Sequence, residues 1–391
     1  MKYWRGFLAA AIFAAIAWGF VSFAQSHPVL VDMVYPYLLR IYTSSVTTWS
    51  NASSACIYQI VLLFGVVVII ASGVLMVMFK WNIVQWLGWV LAAVVGVNML
   101  TTVSYGLNAY ASPLADDIKL TISDYTATEL VDTTMFFRDQ VNALAPNVPR
   151  SDDNTANLGS FEELAGKAYQ GFEVLTYEKA MPVFAGNTTS PVKKLSMPGL
   201  FSSKGESGVT VAITGESAVN PDVPSAALPF AMCKELSHRI SIYSEPDANF
   251  AAFLACTNHP EDIYRYSGYL MAYYYCYEAL LSIPTSTAQH SAKSISDGLF
   301  DLVRADLDAV YDFFGQPEAT PNVQAEANIT ASDSEMTLIT FSSYSDVTDL
   351  FVSWYIQEYI LPTYEPQNPS PEFNPYDKDK VFPPEPGEVT Q

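Results

Sequence analysis

Lys234, Glu235 and His238 stand at positions i, i+1 and i+4 of a stretch, KELSH, that differs by one residue from the H-E-x-x-H pattern of zinc peptidases. In that pattern two histidines one helical turn apart share a face and reach one zinc ion. The glutamate polarises the zinc-bound water and takes its proton. His238 holds the second-histidine position here, Glu235 the general-base position, and Lys234 the first-ligand position. A lysine is a poor ligand at neutral pH, because its ammonium has no free lone pair. It also brings a positive charge to the place where the metal's charge would sit. Its stem is long enough to set the ammonium near that place, paired with Asp247 or Glu235. Taken alone, the five letters read as a solvated turn of an amphipathic helix.

The elements around them give the stretch a frame. Patterning predicts a helix from about Phe230 to Ile242, a second from Asp247 to Cys256 and a third over 262–282. The tyrosines of the third helix read as packing. "GVTVAITG", 208–215, alternates and is rich in β-branched residues, so it reads as a strand ahead of the KELSH helix. An edge strand in that place can pair with an extended peptide, or can bind nothing. Earlier, Thr126 and Glu129 form a capping-box pattern at the start of a helix. Residues 161–181, 294–315 and 343–360 also read as helical. The last thirty residues carry eight prolines and many acids and read as an extended tail, 362–391.

Charge divides the 391-residue chain. Residues 1–104 hold one acid, Asp32, and four basic residues, Lys2, Arg5, Arg40 and Lys80; the remainder holds 39 acids and 15 basic residues. Such asymmetry points to a membrane part and a water-exposed acidic part, and an acidic surface repels nucleic-acid phosphates. Residues 7–24, 60–79 and 83–103 are each apolar enough to span a bilayer. The first also resembles a cleavable signal peptide, although a retained helix fits better. Lys2, Arg5 and Lys80 favour the cytoplasmic side, which sets the N-terminus inside and residues 104–391 outside. The stretch 25–57 is then also outside, and "VYPYLLRIYTSS" is expected along the membrane surface. Spans without an ionisable residue argue against a transporter. Cys56, Cys233, Cys256 and Cys276 lack metal-type spacing and read as buried thiols, though their number permits one disulfide.

Several stretches, in this order and spacing, resemble a family of membrane proteins from Gram-positive bacteria known as domain of unknown function 3810. They are "VYPYLLR" (34–40), "YGLNAYASPLADDIKL" (105–120), "TGESAVNPDVPSAALPFAMCKELSH" (214–238), "EPDANFAAFLACTN" (245–258), "YRYSGYLMA" (264–272) and "SYSDVTDLFVSWY" (343–355). The resemblance implies a membrane-anchored, mostly helical α+β protein. Three N-terminal transmembrane helices (1–104) would precede a zincin-like extracytoplasmic domain (105–361). It implies that His238 matches the second zinc histidine, Glu235 the general base and Asp247 the glutamate third ligand of an E-x-E-A-N-like segment. Lys234 departs from the first histidine, and Asp247 is one methylene short.

The expected function is a membrane-anchored pseudopeptidase, a binding or scaffolding module at the cell surface with no cofactor. Its expected partners are the lipid bilayer and an extended peptide or surface protein, with no nucleic acid. The alternative is an active metallopeptidase with an altered zinc site, in which Glu235 remains the base and His238 and Asp247 the ligands.

Overall fold

Residues 4–315, 340–341 and 346–361 are described by a computed structural model. The helices α1 (Arg5–Ser26), α2 (Pro28–Ser50), α3 (Ile57–Met78) and α4 (Ile83–Ser104) come first, then α5 (Leu114–Ile118), α6 (Ala127–Leu144), α7 (Phe161–Lys167), α8 (Tyr169–Glu173) and α9 (Gly199–Ser202). They are followed by α10 (Leu228–Arg239), α11 (Glu245–Thr257), α12 (Asp262–Leu281), α13 (Ser286–Asp297), α14 (Asp301–Phe314) and α15 (Val347–Tyr355). The strands are β1 (Tyr125–Thr126), β2 (Lys193–Lys194), β3 (Gly208–Val211), β4 (Glu216–Val219) and β5 (Thr340–Phe341). The chain is thus mostly helical with little sheet. The expected tail, 362–391, and residues 343–345 of the last expected helix lie outside the described residues.

α1, α3 and α4 are long and apolar enough to cross a membrane. Most of their apolar side chains face outward, a distribution that suits lipid rather than water as the surrounding solvent. α1 packs on α4 through glycines: a Cβ on Gly6 would fall 2.3 Å from the Gly88 carbonyl carbon. Small residues allow such close backbone approach where no water-driven force assists helix pairing. Between α3 and α4 the chain turns over four residues, and the Asn82 side chain accepts from Gln85 N at 3.1 Å to start α4.

α2, the stretch expected along the membrane surface, docks on the C-terminal region, where its polar side chains reach backbone carbonyls. Thr47 Oγ1 donates to Gly215 O at 2.6 Å, Arg40 Nε to Ile240 O at 2.9 Å and Tyr42 OH to Ile213 O at 3.0 Å. Where α2 ends and α3 begins, a buried ion pair closes the junction. Lys193 Nζ donates to Ser50 O (2.8 Å), Ala55 O (2.9 Å) and Glu216 Oε1 (2.6 Å). Glu216 in turn accepts from Ile57 N and Tyr58 N, both at 2.7 Å. A carboxylate thus satisfies two N–H groups at the start of α3, where the helix dipole favours negative charge.

The C-terminal region folds around α12, which packs against α6, α10, α11 and α15. Its tyrosines do pack: Tyr264, Tyr266 and Tyr273 are fully buried. Two of these buried hydroxyls find partners: Tyr264 donates to Leu164 O and Tyr266 to Asp306. The same Asp306 holds Arg150 at 2.5 Å and Ala156 N at 2.6 Å. β2, β4 and β3 form a small sheet in that order, β3 antiparallel and β2 parallel to β4. β3 is therefore an edge. The expected strand 208–215 ends at Val211 and turns at Gly215 into β4. The expected helix 294–315 is two helices, α13 and α14, parted after Asp297. All four cysteines are buried free thiols.

Candidate functional site

The KELSH stretch lies in the last two turns of α10, and the sheet pins it there. Thr210 Oγ1 donates to Glu235 Oε2 at 2.8 Å, and Ser217 Oγ donates to Glu235 O at 2.9 Å. Arg239 Nε donates to Ser217 Oγ at 3.2 Å. Gly208 is needed opposite: a Cβ there would fall 2.7 Å from Glu235 Cγ and 2.7 Å from Ala218 O. Glu235 is 1 % exposed, and an isolated buried carboxylate is costly unless cations balance it. Lys234 Nζ lies 3.7 Å from its Oε1. Arg239 supplies a second charge from behind; burial pulls its guanidinium down to about 10, while Glu235 and Glu216 act against that fall.

His238 completes the group. Its Nδ1 faces Ile242 O at 2.9 Å, and its Nε2 faces Glu245 Oε1 at 3.3 Å. Tyr105, directly after α4, brings its hydroxyl to 3.2 Å from Nδ1. Burial pushes that phenol well up, and Glu235 and Glu245 add to the shift, so it stays protonated.

The carboxylate that stands beside both Lys234 and His238 is that of Glu245. Glu245 Oε2 accepts from Lys234 Nζ at 3.1 Å while its other oxygen meets His238. Cap register is the physical reason. Ser244 is the N-cap of α11 and its side chain accepts from Asp247 N at 3.1 Å. Asp247 is thereby the third residue of the helix, beside its first turn. Glu245 is the first, and from there its side chain reaches α10. Asp247 lines a different cavity, with Asp32, Arg40 and Asp117. Lys234 pairs with Glu245 at 3.1 Å and with Glu235, one of its two expected partners, at 3.7 Å. The other two histidines of the region bond elsewhere: His259 to Lys167 O and His290 to Ser286 O.

The residues present do not fit a catalytic zinc. Such a site takes three protein ligands, each offering a lone pair. Here His238 and Glu245 stand together, but the remaining place holds an ammonium. Burial tends to lower the Lys234 ammonium's pKa, yet Glu235 and Glu245 outweigh it and raise the group above its ordinary value. It stays charged and cannot coordinate. Among the described residues no three His, Cys, Asp or Glu side chains are grouped to hold a metal. Beside Lys234 and Glu245 a cavity of about 470 Å³ opens between Gly208, Phe230, Asn249 and Tyr275.

Glu245 gives a pH test of this network. Its carboxyl is drawn down to about 2, chiefly by the hydrogen bond from His238; burial opposes the fall, and the Lys234 charge adds to it. A depressed folded-state value means that the pairing contributes fully above the ordinary glutamate range and is lost as pH falls towards about 2. A carboxyl-carbon NMR titration of Glu245 is expected to give a midpoint near that value. A midpoint in the ordinary range, roughly 4.3, contradicts the network.

No curated protein sequence and no solved structure matches the chain. The family profile described as "Protein of unknown function (DUF3810)" matches residues 31–351, which takes in most of α2, the apolar helices α3 and α4 and the whole Lys234–Glu235–His238–Glu245 cluster. The chain belongs to the DUF3810 family.

Proposed function

We propose that this protein is a membrane-anchored pseudopeptidase: a zincin-like frame whose metal place is taken by a lysine ammonium, serving as a peptide-binding or scaffolding module at the cell surface. The observation that carries the reading is the position of Lys234 Nζ, 3.1 Å from Glu245 Oε2 and 3.7 Å from Glu235 Oε1. A fixed cation there does the charge balancing that an ion would do, but it can neither polarise water nor accept a carbonyl oxygen as a Lewis acid. Lys2, Arg5 and Lys80 on the cytoplasmic side put the N-terminus inside and the large C-terminal region outside.

Binding would use the open edge of β3. Asn220 N donates to Ser207 O, so by antiparallel alternation residues 207, 209 and 211 bond across to β4. Gly208 and Thr210 then present their N–H and C=O groups at the edge, beside the 470 Å³ cavity. An extended peptide can pair with such an edge through its main chain.

Selection of a random peptide library on the full chain in lipid nanodiscs tests this. Selected peptides are expected to bind in the presence of a chelator, to bind the Glu235→Gln variant equally, and to lose binding when alternate residues are N-methylated. Chelator-sensitive cleavage of the peptides that Glu235→Gln abolishes would overturn the reading in favour of an active metallopeptidase. Failure to select any peptide would overturn the peptide-binding part.

A further inference from the structure

α2 is amphipathic the wrong way round for water. A helix docked on a water-exposed domain buries an apolar stripe and shows polar residues outside. Here the polar residues face the protein. Arg40, Thr43 and Thr47 donate to carbonyls of the C-terminal region, and Asp32 accepts from Ser112 N at 2.8 Å. The opposite side is exposed and apolar: Leu30, Met33, Val34, Tyr37, Leu38 and Ile41, with Met33 at 72 % and Tyr37 at 65 %. Their spacing is that of a single helix face. Asp32 and Arg40 are the charged residues of α2, and neither lies in this stripe. Ser45 and Thr48, next on the same side, turn their hydroxyls back to the carbonyls of Ile41 and Ser44 in their own helix.

The ends of α2 say what covers the stripe. α1 ends at Ser26, just before α2, and α3 begins at Ile57, shortly after it. Both ends therefore stand where an apolar span leaves the bilayer, and the helix between them runs across its surface. The stripe continues the outward apolar faces of those spans, where Phe23 and Ile60 are exposed. A second segment reaches the same level. Ser196 N donates to Gln59 Oε1 at 2.9 Å, which fixes it to the first turn of α3. Leu195 is buried with Cys56, and Phe201 packs beside them. Between these anchors Met197 and Leu200 are exposed, Leu200 at 77 %.

We propose that the outer lipid leaflet is the partner of this combined surface. α2 lies in the bilayer plane with the Leu30–Ile41 stripe at the acyl boundary, and Met197 and Leu200 insert beside α3. The lipid fixes the rotation of α2, and the second segment adds a contact far from it in sequence. The end of α10 rests on the other side of α2, through Arg239 O and Ile240 O. It would then stand about 10 Å from lipid, one helix diameter. The proposal does not depend on the function proposed for the Lys234 cluster.

Bimane fluorescence of the full chain, one copy per nanodisc, in ordinary or brominated phosphatidylcholine, is the test. The four native cysteines are buried, so the label goes to Met33→Cys, Tyr37→Cys, Ile41→Cys or Leu200→Cys, all at exposed positions. Lys293→Cys is the aqueous control; its side chain is 75 % exposed, on a helix that packs on α6 and α12. The apolar face of an in-plane helix lies about 5–10 Å into the headgroup–acyl boundary, within reach of bromines high on the acyl chains. Labels at 33, 37, 41 and 200 are expected to lose fluorescence in brominated lipid, and the control to lose it only to aqueous iodide. Bromine quenching at 37 and 41 no greater than the control's would overturn the proposal. Iodide quenching there would then mean that water covers the face, and protection from both quenchers that protein does. Quenching at 37 and 41 but not at 200 would overturn the part played by Met197 and Leu200.

Discussion

Glu216→Ala is expected to destabilise the chain by about 3–5 kcal/mol, the range for removing one partner of a buried, hydrogen-bonded ion pair. The side chains of Lys193 and Glu216 are 5 % and 0 % exposed. Losing the carboxylate leaves the Lys193 charge on two carbonyls alone and strips Ile57 N and Tyr58 N of their acceptor. Lys193→Met is expected to cost less, since Glu216 would keep both N–H groups and the favourable end of the α3 dipole. Equilibrium unfolding of the two variants in detergent checks both the size and the order. Equal costs, or a cost under about 1 kcal/mol for Glu216→Ala, would show that this junction is not closed by the pair.

Lys234→His is expected to raise zinc affinity by about 100-fold or more, equivalent to about 2.7 kcal/mol. The change removes a positive charge from the site and sets a second imidazole one turn before His238, on the same helix face. Glu245 is already placed for the third contact, since its Oε1 meets His238 Nε2. Competition with a chromogenic chelator measures the gain. Combining the change with Glu245→Gln is expected to abolish most of it, whereas Asp247→Asn is expected to leave it unchanged. The opposite pattern would return the third position to Asp247.

Much of this architecture is legible in the sequence, for reasons that particular residues make plain. The three spans follow from apolar length. The start of α6 follows from Thr126 and Glu129, which form the reciprocal capping box. The α10 and α12 helices follow from periodicity. What escapes is what depends on register or on distant backbone. Asp247 is the ligand that the family resemblance implies, while the Ser244 cap makes Glu245 the first residue of α11 and leaves it pointing at α10. A serine three residues before an aspartate was the available signal. The docking of α2 escapes because nothing local reveals that Thr47 will meet Gly215. β4 escapes because its four residues are all buried and show no alternation. Tyr105 and Arg239 escape because their partners lie across the fold.

The central claim is that the Lys234 ammonium stands where a peptidase would hold its metal. The most direct measurement is the zinc content of the purified native chain, loaded with excess zinc, then dialysed against metal-free buffer and analysed by atomic emission alongside Lys234→His. The native chain is expected to retain far less than one equivalent while the variant retains close to one. One equivalent kept by the native chain, and lost when His238 is replaced by alanine, would contradict the account.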